Sequence, residues 1–235
     1  MNTERRHLGD VDVAAVAALL SEPARATMLD ALMDGGVRPA GELARRAGIA
    51  ASTASGHLMR LLDGGLVSCE AHGRERRYRL ASPAIAEALE ALARLAPPTA
   101  VSSLREAGRG AALREARTCY DHLAGRLGVA VTDALVVRKA LRPHDGSFDV
   151  TRAGEALLGG LGVDVDTARG GKRAFARACL DWSERRPHLA GALGAALADA
   201  LMARDWLRRR PNDRALLITP AGAAALRREL GVELG

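Results

Sequence analysis

Two Phe, two Tyr and two Trp are all the aromatic mass this chain of 235 residues carries. Its cores must therefore be closed by Ala, Leu and Val, which suits helix packing better than a sheet sandwich, and the expected class is mainly α with some β (α+β). The composition, 48% hydrophobic and 26% charged, is globular. No uninterrupted apolar run approaches the about 18 residues of a membrane-spanning helix, so no membrane association is expected. The segment 1–9 carries Glu4, Arg5 and Arg6 and lacks the apolar core of a signal peptide. Cys69, Cys119 and Cys179 are too few and too scattered for a disulfide framework, and the expected compartment is the reducing cytoplasm.

The sharpest break is Ala96-Pro97-Pro98-Thr99. Paired prolines cannot continue a helix, and each pushes its predecessor out of the helical region. The chain is accordingly read as two domains, 1–97 and 98–235. In the first, helical spacing predicts helices over 11–20, 24–33 (opened by Ser21 and Pro23, closed by Gly35-Gly36), 41–47, 52–62 and 83–95. Between the last two, 66–70 and 76–80 form a polar hairpin around His72-Gly73. Helix, short turn, helix and hairpin is the winged helix-turn-helix order, in which the second helix enters the major groove of duplex DNA and the wing follows the backbone.

The residue types fit both tasks. Ser52, Thr53, Ser55, Gly56 and His57 are small or hydrogen-bonding, as a helix lying against base edges requires. Arg60 lies one turn beyond Gly56, within reach of a phosphate. Arg74, Arg76, Arg77 and Arg79 form a cationic strip on the wing. The net charge of +6 does not itself point to this region: basic and acidic side chains balance over 1–97, and the surplus lies beyond it. The scarcity of aromatics also argues against stacking on single strands, so the expected partner is double-stranded DNA.

Three stretches, LLSEPARATMLDALMDGG, ELARRAGIAASTASGHLMRLLDGGLV and GRERRYRL, resemble ArsR-type winged-helix repressors. The likeness rests on Leu20, Pro23 and Arg25, on Ser52, Ser55, His57 and Leu58, and on Gly64-Gly65-Leu66-Val67, and spans about 9–96. It implies a homodimer whose outer helices pair, placing two recognition helices on an operator, and a protein that senses its own inducer. The metal sites common in that family are not carried over. Glu42-Leu43-Ala44-Arg45-Arg46 has no thiol, and 83–95 offers Glu87 and Glu90 but no His. Ala50 stands where Ser or Thr often caps the recognition helix, which leaves either Ser52 as the cap or a weak one.

Beyond residue 100 the chain repeats itself. Gly125 to Leu135 matches Gly191 to Leu201, His122-Leu123-Ala124 matches His188-Leu189-Ala190, and Val150 to Gly154 matches Ile218 to Gly222. Upstream, Cys119-Tyr120-Asp121 mirrors Cys179-Leu180-Asp181. Each copy is read as a helix running from before the Cys, a β-hairpin and a second helix, giving two pseudo-repeated helix–β-hairpin–helix units. Cys119 and His122, three apart, would share one helical face, and Cys179 and His188 could complete a site for Zn or another thiophilic ion, with Asp121 and Asp181 as ligands or supports. Two other readings stay open: the cysteines as mirrored small core residues, or as a reversible thiol pair.

The leading expectation is a homodimeric, sequence-specific transcriptional regulator, a repressor whose DNA binding is weakened by a small-molecule or metal effector at the second domain. The alternatives are a metal- or thiol-redox-responsive sensor, an interaction platform without a ligand, and an enzyme fused to a DNA-binding module. The last finds no phosphate-binding loop, nucleophile elbow or HExxH sequence, and the chain is read as a non-enzyme.

Overall fold

Asp12 accepts from the Ala15 amide and opens α1 (Val13–Leu20), and Pro23 sits in the first turn of α2 (Pro23–Ala31), where its missing N–H is not needed. The computed structural model describes residues 11–73, 75–97, 103–211 and 213–233, in two compact units, Met1–Ala86 and Glu87–Gly235. In the first unit β1 (Arg38–Pro39) leads into α3 (Ala40–Ala47), which Gly48 ends in the left-handed conformation. The recognition helix α4 (Ala51–Asp63) follows. Ala50 is its N-cap and no side chain caps it, so Ser52 does not take that role.

The wing is β2 (Val67–His72) and β3 (Glu75–Leu80), in antiparallel register from Val67 opposite Leu80 to His72 opposite Glu75. The sequence gives no sign of β1, which pairs on the far side of β3 in the order β1-β3-β2. Met28, Leu29, Leu32, Leu43, Leu58, Leu61 and Leu80 close the core, with Tyr78 the one aromatic among its described residues. Arg25 is buried and donates to the carbonyls of Ala18 (2.8 Å) and Leu19 (2.7 Å), answering the open end of α1.

Helix α5 (Pro83–Leu95) has most of its length in the second unit, so the division falls before the paired prolines rather than at 97/98. The second unit continues with α6 (Leu104–Glu115) and then runs twice through one order. The first pass is β4 (Arg117–Cys119), β5 (His122–Ala124), α7 (Gly125–Val137), β6 (Leu141–His144), β7 (Ser147–Val150) and α8 (Arg152–Gly160). After α9 (Val165–Gly170) come β8 (Arg177–Leu180), β9 (Pro187–Ala190), α10 (Gly191–Ala203), β10 (Leu207–Arg209), β11 (Leu216–Ile218) and α11 (Pro220–Leu230). Each pass is therefore hairpin–helix–hairpin–helix. The expected helix through each Cys is a hairpin instead. At Cys119 spacing alone could not settle this, because Cys-x-x-His fits one helical turn and a two-residue hairpin turn equally well; His188 stands nine residues after Cys179, and the helix there was read from the repeat. The backbone decides for the hairpin: Tyr120 takes a positive φ of 62° at the turn, and Gly125, at φ 74°, turns the strand into α7.

Ser147 pairs with Arg177 to join the inner hairpins into a four-stranded sheet, β6-β7-β8-β9. The corresponding outer strands meet through an antiparallel bridge between Arg117 and Ala215. Leu127, Leu135, Leu158, Leu193, Leu197 and Leu201, with Phe148 and Trp206, fill one core.

The second helix of each pass starts against the strand before it. Thr151 and Thr219 accept from the amides of Gly154 and Gly222 while donating to the carbonyls of Lys139 and Asp205. A Cβ on Gly154 would meet the Ala140 carbonyl oxygen at 2.1 Å, and one on Gly222 the Trp206 oxygen at 2.1 Å. Gly154→Ala and Gly222→Ala are each expected to destabilise this unit by about 1–3 kcal/mol, read as a lowered midpoint in urea with an unchanged slope. The exposed Gly159→Ala, with open space at its Cβ, serves as the neutral control.

Candidate functional site

On α4, Ala54, Leu58 and Leu61 face the core, which leaves Ser52, Thr53, Ser55, Gly56 and Arg60 exposed. His57 lies at the edge, half-buried, with Nδ1 3.4 Å from Arg25 Nη1. Arg25 therefore ties the end of α1 to the recognition helix, a link for which the sequence offered only the resemblance. Ser55 donates to the Ala51 carbonyl. On the wing Arg76 is exposed, Arg77 half-buried beside Glu75 at 3.3 Å, and Arg79 paired with Glu70 at 2.7 Å. Arg74 lies outside the described residues.

The second constellation is internal. Cys119 and His122 are cross-strand partners on β4 and β5, and Cys179 and His188 are partners on β8 and β9. Their ligand atoms all lie within 4.8 Å of one another and all four residues are buried. The two sulfurs stand 4.0 Å apart as free cysteines, and the imidazole centroids are 5.1 Å apart. Trp182, which follows Asp181 as His122 follows Asp121, is not its spatial equivalent. The loop through Arg185 and Arg186 delivers His188 to that place.

Each imidazole has a carboxylate at its back. Nδ1 of His122 lies 3.4 Å from Asp121, and Nδ1 of His188 lies 3.5 Å from Asp181. Asp121 is itself held by Arg173 at 2.5 Å. Nε2 of both rings, and Nδ1 of His188 as well, is buried with no hydrogen-bond partner among the described residues. Each such nitrogen costs about 1–3 kcal/mol if nothing answers it, which a simple core position would not incur. Burial works against ionising this cluster, but the Cys119 thiol beside Cys179, with the two imidazoles, draws the Cys179 thiol well below its ordinary value. The same contact and burial push Cys119 up. The arrangement is a pair of cysteine side chains facing two imidazoles.

Beside it lies a charge network that sequence reasoning missed. Arg117, at 0% exposure, donates to Asp181 (2.9 Å), to the Leu113 carbonyl (3.1 Å) and to Ser183 (3.4 Å), approaches Glu90 of α5 (3.7 Å) and stacks on Trp182. Glu90 is also bound by Arg214 at 2.5 Å. Arg177, at the position matching Arg117 in the second pass, pairs with Glu87 at 2.7 Å. The arginines two residues before Cys119 and Cys179 thus both hold α5. The repeat places Arg177 in register with Arg117, but nothing local marks one as buried.

Residues 20–70 match a helix-turn-helix domain family. The uncharacterized HTH-type transcriptional regulator YdfF of Bacillus subtilis (strain 168) is 45% identical over 223 residues, 95% of this chain and 99% of its own, so the likeness runs through both units. The HTH-type transcriptional regulator CmtR of Mycobacterium tuberculosis (strain H37Rv) is 40% identical over 77 residues, 33% of this chain and 64% of its own. The NMR structure of the cadmium metal-sensor CMTR from Mycobacterium tuberculosis covers 39% of this chain and 94% of that one, with 35% identity and a TM-score of 0.32. The helix pair, exposed polar helix and arginine-bearing hairpin define a winged helix-turn-helix DNA-binding protein. The chain belongs to the HTH-type transcriptional regulators.

Asp181 accepts from Arg117, the Gly125 amide (2.7 Å), Ser183 and the Glu184 amide. Burial opposes its ionised form, but Arg117 and these donors outweigh it and lower its pKa. The stability this supplies is present above the unfolded value of about 3.9 and drains away as pH falls through the folded value. Asp181→Asn is expected to cost about 3–5 kcal/mol at pH 7. In denaturant titrations the gap to wild type should narrow steadily below about pH 4.

Proposed function

We propose that this protein is a homodimeric repressor that binds an operator in double-stranded DNA and whose affinity for it is set by an effector held in the second unit. The observation that carries the reading is the exposed polar face of α4 beside the arginine-bearing wing. Ser52, Thr53, Ser55, Gly56 and His57 read base edges, Arg60, Arg76 and Arg77 contact phosphates, and Arg74 is assigned to the wing with them.

The dimer is supported by apolar side chains that the chain leaves uncovered on its outer helices. α1 buries none of its residues, with Val13 and Val16 exposed, and α5 exposes Leu92 and Leu95, the latter at 83%. Effector control is supported by the ion pairs of Glu87 and Glu90, which hold α5 to the strands of the second unit. An effector acts only if it binds one geometry of this assembly better than another.

Duplex sites selected from a randomised pool supply the probe. Arg76→Ala with Arg77→Ala is expected to weaken binding and to reduce the slope of log affinity against log salt by about 2, measured by fluorescence anisotropy; an unchanged slope sinks the wing assignment. Val16→Asp, at an exposed position, is expected to shift the chain toward monomer in sedimentation equilibrium while leaving its helical circular dichroism intact. A variant that stays dimeric removes α1 from the interface.

A further inference from the structure

We propose that Cys119, His122, Cys179 and His188 form a closed four-ligand site for one thiophilic divalent cation of the Zn2+ class, and that this ion is the effector of the second unit. The regulatory half of this statement rests on the function proposed above; the binding half does not.

Three observations converge. The first is the donor set, two sulfurs and two imidazole nitrogens, which is a tetrahedral set for a d10 ion. The second is distance. Metal–sulfur bonds of about 2.3 Å at tetrahedral angles place two sulfurs about 3.8 Å apart, and here they are 4.0 Å apart, with all four ligand atoms within 4.8 Å. The third is unmet valence. Nε2 of His122 and both ring nitrogens of His188 are buried, in residues 4% and 0% exposed, and have no hydrogen-bond partner among the described residues. Asp121 hydrogen-bonds Nδ1 of His122, the arrangement that turns Nε2 toward a metal, and Asp181 lies 3.5 Å from Nδ1 of His188 as a charge partner.

The bland alternative, four residues of an apolar core, leaves the two imidazoles unexplained. Among the described residues, Ala124 and Ala190 join the cysteines in a small buried cluster of their own. A thiol switch would use the cysteines but not the histidines. An ion here ties β4-β5 to β8-β9, the hairpins that carry Arg117 and Arg177. Loading therefore bears directly on the strands that hold Glu90 and Glu87 of α5. All four ligands come from the protein, so no open position is left for a substrate, and the site holds or senses an ion rather than catalysing with it.

The test uses the full chain, reduced and stripped with a chelator, then titrated with Co2+ and with Zn2+. One Co2+ per chain is expected, with sulfur-to-cobalt charge transfer and the intense visible bands of a tetrahedral ion, both abolished by Zn2+. Cys119→Ser and His188→Asn should weaken binding by more than an order of magnitude, and Cys69→Ser should not. Protection of two of the three thiols from a thiol reagent by Zn2+ gives the same information on wild-type protein, should a ligand variant fail to fold. No uptake, a weak octahedral cobalt spectrum, or a Cys119–Cys179 disulfide forming in place of metal binding overturns the site. Loaded and stripped protein are then compared on the selected duplex, where a change in affinity on the order of tenfold is expected. Uptake without such a change overturns the effector role alone, and DNA binding by the stripped protein tests the winged helix separately from the ion.

Discussion

A guanidinium taken wholly out of water must be answered by carboxylates and acceptors in fixed positions, because one missing partner leaves an uncompensated buried charge. Arg117 is in that situation, and its answers come from across the second unit: Asp181 from the β8-β9 hairpin, Glu90 from α5, Ser183, and the carbonyl at the end of α6. The same Asp181 oxygen that meets Arg117 also accepts the first amide of α7 and lies behind His188. One buried ion pair thus orders the start of a helix, the lie of an imidazole and the seat of α5. Arg214 completes the arrangement by engaging the other oxygen of Glu90.

This makes α5 the mechanically interesting element. Its acidic residues are committed to the strands of the second unit, while Leu92 and Leu95 are exposed on the same helix. The helix thus has one side fastened by charge and another left apolar. The winged helix itself needs no such device. Its core is closed by leucines and methionine, and its polar surface is presented by the spacing of Ala54, Leu58 and Leu61 alone.

Much of the first unit was legible in the sequence because its signals are local. Gly48 needs a left-handed conformation at the end of α3, Pro23 marks the opening turn of α2, and His72-Gly73 marks the turn of the hairpin. β1 escaped because two residues carry no periodicity. Arg25 was legible only as part of a resemblance, since its role is to cross from α1 to α4. In the second unit the repeat was plain, but its element type was misread at each Cys. At Cys119 the three-residue step to His122 is compatible with a helix and with a hairpin, and the positive φ at Tyr120 and the left-handed Gly125 distinguish them; at Cys179 the misreading followed from the repeat.

By itself, the sequence determined the winged helix-turn-helix order, the exposed residues of its recognition helix, and the four Cys and His residues worth watching. These follow from spacing, turn chemistry and internal repetition, all of which act over a few residues. Only the tertiary structure decided that Cys119 with His122 faces Cys179 with His188, that Arg117 is buried where its counterpart Arg177 is not, and that α5 is fastened to the strands bearing those cysteines. Such facts concern residues far apart in the chain. They are set by how two similar hairpins close against each other, and no local pattern carries that geometry.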